Sequence, residues 1–211
     1  MAEMRIASWR KAGHAAEGIV VVTLLLVAAT IPSFATAQPS AQQITLNVDP
    51  AQSQVHYTVD STLHTVHGTF TLKDGTVRID PASGKAEGQV TVYATSGDSG
   101  NKARDERMHK EILETPKYPD AIFRPTQIEG TVTLSGASDV KLHGLLLLHG
   151  AEHPITATVH TELNGDHWTG TAKFEVPYIQ WGIKNPSNWL LKVKPVVEVE
   201  IDMVGAASTA K

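Results

Sequence analysis

Cysteine is absent from this chain of 211 residues, and its absence excludes a disulfide framework. It also excludes the acylated N-terminal cysteine of a bacterial lipoprotein, so burial of apolar side chains must hold the fold together. Aromatic residues make up only 6% of the sequence, and the formal net charge is −4 with no basic stripe. A nucleic-acid-binding surface is therefore not expected.

A hydrophobic run long enough to cross a bilayer is lacking as well. The apolar stretch Ile19–Ala29 is short, whereas a spanning helix needs about 20 residues. It follows Arg5, Arg10 and Lys11 and precedes the small residues Ala35-Thr36-Ala37, in the order of a secretory signal segment.

We therefore predict a cleaved signal peptide over residues 1–37 and a single mature domain over residues 38–211. An uncleaved membrane anchor is the alternative. Cleavage predicts a periplasmic or secreted protein without stable membrane insertion.

From Ile44 onward the chain alternates apolar and polar residues in short runs separated by turn residues. Val55, Tyr57 and Val59 form one such run, and Asn164-Gly165-Asp166 is a hairpin-like turn between two later ones. Many short strands at nearly even spacing predict an all-β antiparallel sandwich or barrel. The small residues after Val204 predict a frayed tail.

The densest run of charge, Ser99–Phe123, interrupts this alternation. Asn101 is a candidate N-cap for a helix that runs from Lys102 to about Glu114 and ends before a proline. Acidic and basic residues balance along the helix, so a phosphate site is not favoured over structural bracing. Met108 and Ile112 form an apolar stripe that is too narrow for a central helix. The pattern indicates a helix that lies across one end of the sheet.

Two runs, Leu145–Leu148 and Trp189–Leu191, are apolar on both faces or nearly so. Each face of such a strand needs a cover. Packing against the N-terminal segment or the helix is one explanation, and a bound apolar ligand is the other.

The histidines do not suggest a metal site, because zinc needs three or four converging ligands. His64 and His67 point to opposite faces of a regular strand, and His143 and His149 are about 20 Å apart along one. The nucleophile motif Gly-x-Ser-x-Gly is absent. We predict no catalytic residue, no metal and no cofactor.

The charged interruption closely resembles the signature of the YceI-like family. The resemblance extends from about Ile44 to Val204 and rests on the following segments: Ser99-Gly100-Asn101, Arg104–Met108, Lys117-Tyr118-Pro119, Phe123-Arg124-Pro125, Val48-Asp49-Pro50, Val66–Phe70, Leu142–Gly150 with Pro154, and Gln180–Ile183.

This resemblance implies an exported, eight-stranded, antiparallel, lipocalin-like β-barrel with one short α-helix near its mouth. Family members enclose an apolar tunnel, and several hold a polyisoprenoid or another long-chain lipid, without an agreed reaction. The expected function is thus to sequester or carry a long-chain apolar ligand such as a polyisoprenoid or fatty-acid derivative. The alternative is a non-catalytic structural or stress-response interaction protein with a filled barrel. A homodimer is compatible with the sequence.

Candidate ligand-binding residues follow from an assumed inward parity of the strands, and candidate mouth residues follow from the helical insert. The tunnel lining is predicted to contain Val55, Tyr57, Val59, Phe70, Val92, Phe123, Leu145, Leu147, Phe174, Trp181 and Trp189. The barrel mouth is predicted to be shaped by Asn101, Arg104 and Asp105.

Overall fold

A computed structural model describes residues 43–210, so the predicted signal peptide lies outside the described residues. Most of the described chain is strand, about 63%, and the strands are connected by turns and one helical segment. The strands are β1 (Gln43–Val48), β2 (Gln54–Asp60), β3 (Thr65–Asp80), β4 (Lys85–Asp98), β5 (Asp120–Glu129), β6 (Gly136–Leu148), β7 (Ala151–Asn164), β8 (His167–Val176) and β9 (Val197–Ala210), and the helix is α1 (Lys102–Arg107) with a π-helical turn at Met108–Ile112.

All strand pairs are antiparallel, and the sheet closes on itself through the pairing of β3 with β4. Strands β1 and β2 occupy one position, because each lies between β3 and β9: Ile44 pairs with Ile79 and Thr209, and Val55 pairs with Phe70 and Ile201. The nine segments therefore fill eight positions. The prediction of a closed, eight-stranded antiparallel barrel is confirmed.

Pro50 lies in the break between β1 and β2, where its missing N–H interrupts no ladder hydrogen bond. Asp49 closes the break: its carboxylate accepts a hydrogen bond from the backbone N–H of Ala51 at 2.9 Å. Its carbonyl oxygen accepts a bond from the hydroxyl of Ser53 at 2.7 Å. The chain thus resumes the same position in the barrel after one local turn.

The barrel has two different ends. The helical end carries α1, the β2–β3 loop, the β6–β7 turn and the long β8–β9 connection, whereas the turn end carries the remaining short turns. At the turn end Ile44, Val140, Leu163 and Trp168 are buried and pack together. This end of the barrel interior is therefore filled with side chains.

The expected frayed tail is wrong, because residues 205–210 belong to β9 and pair with β1. Gly205 faces Val48, and a Cβ atom there would lie 1.9 Å from the carbonyl oxygen of Asn47. The same oxygen accepts a hydrogen bond from Nε1 of Trp168 at 3.2 Å. Small residues at the C-terminus permit this close approach of strands, and the sequence pattern alone does not distinguish it from fraying.

The helical insert differs from the single α-helix that was expected. Asn101 caps α1 as predicted, since its side chain accepts a hydrogen bond from the backbone N–H of Arg104. The α-helix ends at Arg107, and the chain continues as a π-helical turn whose last N–H, that of Leu113, bonds to the carbonyl of Met108. The wider turn holds one more residue than an α turn and rotates the apolar side chains towards the barrel.

Candidate functional site

The barrel encloses a cavity of about 640 Å³. This volume falls within the range of about 300–1,000 Å³ that is usual for small-molecule sites. Aliphatic and aromatic side chains from all the strands form nearly the whole wall. The interior is thus a dry, apolar space of the kind that holds an apolar molecule rather than water.

Seven of the predicted ligand-binding residues lie on the cavity wall, and they come from five strands. They are Val55, Tyr57, Val59, Phe70, Val92, Phe123 and Phe174. The inward parity assumed for these strands agrees with their position on the wall. A contact with ligand stays a prediction for each of them.

The phase assumed for β6 needs correction. Leu146 and Leu148 line the cavity, whereas Leu145 and Leu147 do not. Four consecutive leucines look the same in either phase, so the leucine run alone does not fix the parity. The preceding residues contain the missing signal, because Val140 and Leu142 are apolar at even positions and alternate with a lysine and a histidine.

The two predicted tryptophans do not line the cavity either. Trp181 stacks on His153 with ring centroids 4.1 Å apart and an interplanar angle of 4°. The side chain of Trp189 is 88% exposed. The aromatic residues that do contribute to the wall, and that sequence reasoning missed, are Trp168 at the turn end and Tyr178 at the helical end.

Of the three predicted mouth residues, only Arg104 lies on the cavity wall. Ser99 joins it to Asp105: the Arg104 guanidinium donates to the Ser99 hydroxyl and carbonyl oxygens, each at 2.7 Å. The Asp105 carboxylate accepts from the Ser99 N–H at 2.9 Å and from its hydroxyl. Asn101 and Asp105 therefore fix the start of the helix rather than form the wall.

The rest of the helical segment is fastened to the barrel by bonds at three points. Nε2 of His109 bonds to the carbonyl of Gly97 at 3.0 Å. Lys184 of the β8–β9 connection donates to Glu111 at 2.7 Å. Nε2 of His149 in the β6–β7 turn lies 2.6 Å from Oε2 of Glu114. Met108, Ile112 and Leu113 are thereby held against the cavity.

Polar groups on the cavity wall gather mostly at the helical end. Ser61, His64 and Arg107 lie there beside Arg104. Arg107 is partly paired, since its Nε lies 3.7 Å from Glu111. Among the described residues that line the cavity, none is acidic. The arrangement suits a molecule whose apolar tail points towards the turn end and whose polar end stays at the helical end.

Two tyrosines on the wall are held in the neutral form. Burial raises the pKa of Tyr57, and its hydroxyl donates to Sδ of Met108 at 3.8 Å. Burial also raises the pKa of Tyr178, whose hydroxyl donates to the carbonyl of Lys194 at 3.0 Å. Neither side chain adds a charge to the apolar space.

Within residues 43–210, no group of three or more histidine or acidic side chains is placed to hold a metal ion. His143 contacts Thr156 and Glu129, and His67 contacts Thr58. In the same part of the chain, no helix combines the length and the apolar character that a bilayer crossing requires.

A family model described as the YceI-like domain matches residues 46–205. The crystal structure of Burkholderia cenocepacia BcnA is 20% identical, with a TM-score of 0.61 over 75% of this chain and 99% of its own. A polyisoprenoid-binding domain from Saccharophagus degradans, described as implicated in plant cell wall breakdown, is 15% identical, with a TM-score of 0.57 over 77% of this chain and 98% of its own.

The Campylobacter jejuni YceI protein is 18% identical, with a TM-score of 0.53 over 67% of this chain and 84% of its own. No curated protein sequence matches the chain significantly. At these sequence identities, the structural matches show a common fold.

Proposed function

The chain belongs to the YceI-like family, and on that premise we propose that it binds a long-chain apolar molecule, a polyisoprenoid or a fatty-acid derivative, inside its barrel. It sequesters or carries this molecule and catalyses no reaction on it. The observation that carries the proposal is the apolar cavity of about 640 Å³.

Burial of the tail supplies the binding free energy. Each methylene group removed from water contributes about 0.8 kcal/mol, so a tail of about ten such groups contributes about 8 kcal/mol before the cost of association. The side chains of Phe70, Phe123 and Phe174 on the wall offer flat apolar surface to such a tail. No catalytic group is needed for tight binding.

The polar end of the ligand stays at the helical end. Ser61, His64 and Arg107 are the groups placed to contact it there, because the turn end is filled with buried apolar residues. A tail that entered the other way would bring its polar end against Ile44 and Trp168, where it would lose its hydration without a partner.

The similarity to the Saccharophagus degradans domain supports a polyisoprenoid as the ligand class, since that protein is described as polyisoprenoid-binding. The open cavity favours a carrier over a barrel filled by its own side chains. Export to the periplasm or the medium is part of the proposal, and the basic residues, apolar stretch and small residues before position 38 support it.

The test is mass spectrometry of an organic extract from the purified native protein. We expect a long-chain lipid at about one molecule per chain, and prenyl alcohols or fatty acids of increasing length should raise the melting temperature of the delipidated protein. An empty extract together with an unchanged melting temperature would show that the barrel is not a lipid carrier.

A further inference from the structure

Three large apolar side chains project from the helical end into solvent. Leu63 lies in the β2–β3 loop, and Trp189 and Leu190 lie in the β8–β9 connection; they are 65%, 88% and 62% exposed. The two loops are joined, since the N–H of Thr62 donates to the carbonyl of Lys192 at 2.9 Å. We refer to Leu63, Trp189 and Leu190 as the rim patch.

The exposure of the rim patch is built into an ordered turn. The side-chain oxygen of Asn188 accepts hydrogen bonds from the N–H groups of Leu190 and Leu191, at 2.9 and 2.7 Å. At the base of the turn, the hydroxyl of Ser187 accepts from the N–H of Val193 at 2.9 Å. The turn therefore directs Trp189 and Leu190 outwards.

The rim patch is continuous with the cavity. Leu191, next in sequence to Leu190, lines the cavity wall, as do Pro186 and Val193 at the foot of the same turn. Ser61 and His64, on either side of the Leu63 loop, also lie on the wall. The solvent-exposed turn thus adjoins the cavity wall, and Leu191, Pro186 and Val193 form the apolar part of the junction.

The charges around the rim patch favour an anionic surface. Residues 177–197 contain three lysines and no acidic residue, in a chain whose net charge is −4. Lys184 and Lys194 pair with Glu111 and Asp60. Among residues 43–210, the ammonium group of Lys192 has no ion-pair partner within 4.0 Å, and it lies beside the turn.

We propose that the rim patch inserts into the surface of a lipid bilayer that contains anionic lipids, so that the cavity opens onto the membrane where the ligand is exchanged. This inference rests on the proposed function. Tryptophan and leucine suit the boundary between headgroups and acyl chains, and lysine suits the phosphate layer above it. Because the turn that carries the patch adjoins the cavity wall, its insertion would bring the cavity next to the lipid.

A second copy of the chain fits the rim patch less well. A stable protein interface covers about 800 Å² on each partner, whereas three side chains of this kind cover less, at about 150–250 Å² for an aromatic one. The patch projects from the barrel as a narrow turn rather than a broad, flat face. Insertion between lipid headgroups needs only such a projection.

The test is vesicle sedimentation with the protein as it is isolated, its N-terminus established by intact mass. Vesicles of phosphatidylcholine with phosphatidylglycerol should bind the protein, and vesicles of phosphatidylcholine alone should bind it more weakly. Trp189→Ser combined with Leu190→Ser should reduce binding at least tenfold. Lys192→Glu should reduce binding to the vesicles that contain phosphatidylglycerol and should leave binding to phosphatidylcholine vesicles unchanged.

Leu134→Ser is the matched control, because Leu134 is 45% exposed in the β5–β6 loop at the turn end. This variant should bind vesicles as the unaltered protein does. Failure of the unaltered protein to bind, or equal binding by the double variant, would overturn the inference. A dimer that the double variant abolishes, without vesicle binding, would also overturn it and would identify a second copy as the occupant.

Extracts of the same variants separate this inference from the proposed function. The double variant should contain the same amount of lipid as the unaltered protein and should transfer it between vesicles more slowly. An empty extract with vesicle binding retained would refute the carrier function and leave the membrane contact standing.

Discussion

Glu114 and His149 are the two non-glycine residues with positive φ among residues 43–210, at 46° and 53°, and their side chains bond to each other at 2.6 Å. Glu114 directly follows Leu113, the C-cap of the helical segment, and His149 with Gly150 forms the two-residue β6–β7 turn. Each holds an unfavourable backbone conformation. The pair thus joins the end of the helical segment to the rim of the barrel.

Replacement of His149 should separate the contribution of its bond with Glu114 to stability from that of the turn conformation. His149→Ala removes the pair and puts into the turn a residue that adopts positive φ less readily than histidine, so it should lower the free energy of unfolding by about 1 kcal/mol. His149→Asn removes the pair but tolerates the turn, so its loss should be smaller. Urea denaturation measures both, and equal losses would show that the turn conformation is irrelevant.

Ser99 should contribute more to stability than an exposed serine, because its hydroxyl lies between the Arg104 guanidinium and the Asp105 carboxylate and is buried. Ser99→Ala leaves both charged groups short of a partner and should cost about 1–3 kcal/mol of stability. Ser83→Ala removes an exposed hydroxyl that bonds to Asp80 and should change stability by about 0.5 kcal/mol or less. Equal losses on urea denaturation would refute the bridging role.

Filling the cavity should prevent ligand binding without unfolding the barrel. Ala157 lies on the cavity wall, and its neighbour Thr158 points to the exposed face of the same strand. Ala157→Phe should reduce the lipid recovered in an organic extract at least tenfold, whereas Thr158→Phe should leave it unchanged. Circular dichroism checks the fold of both variants, and full lipid content in folded Ala157→Phe would place the ligand elsewhere.

His153 provides a test of how the stability of the fold depends on pH. Burial lowers the pKa of its imidazole below the ordinary value, and the stacked ring of Trp181 supplies part of the cover. The folded protein therefore binds this proton more weakly than the unfolded chain does. The associated stability is present above pH about 6.5 and is lost as the pH falls through the lower, folded pKa.

NMR titration of the His153 ring should give a pKa below 6.5, the ordinary value, and Trp181→Ala should raise it. The free energy of unfolding should also fall less between pH about 7.5 and about 5.5 in His153→Gln than in the unaltered protein. An ordinary pKa in the titration would contradict the role assigned to the stacked ring.

Much of the barrel could be predicted from the sequence, because period-two alternation and turn residues specify each strand locally. Which side chains of a strand point into the barrel was predictable where polar residues alternate with Val55 and Tyr57. It was not predictable within the leucine run of β6, where both faces look the same. Register across the closed sheet depends on partners distant in the chain, which explains why the pairing of Gly205 with Val48 was missed.

The site was predictable where a strand sets the direction of a side chain and unpredictable where a loop does. Trp189 has a large apolar side chain of the kind that is usually buried, yet the Asn188 turn directs it into solvent. Hydrophobicity reports the preference of a side chain for an apolar neighbour. It does not report whether that neighbour belongs to the same molecule.

The packed turn end closes that end of the barrel interior, so a ligand of the proposed carrier would enter and leave at the helical end. In such a carrier a bound chain would leave by the route through which it arrived, so a new molecule could not displace the old one from the turn end. In the proposed carrier, release would therefore precede loading in every cycle, and all bound molecules would have the same orientation. The direction of net transfer would then depend on which of the two membranes holds more of the lipid. The depth of the cavity down to Trp168 would limit how much of the tail is covered.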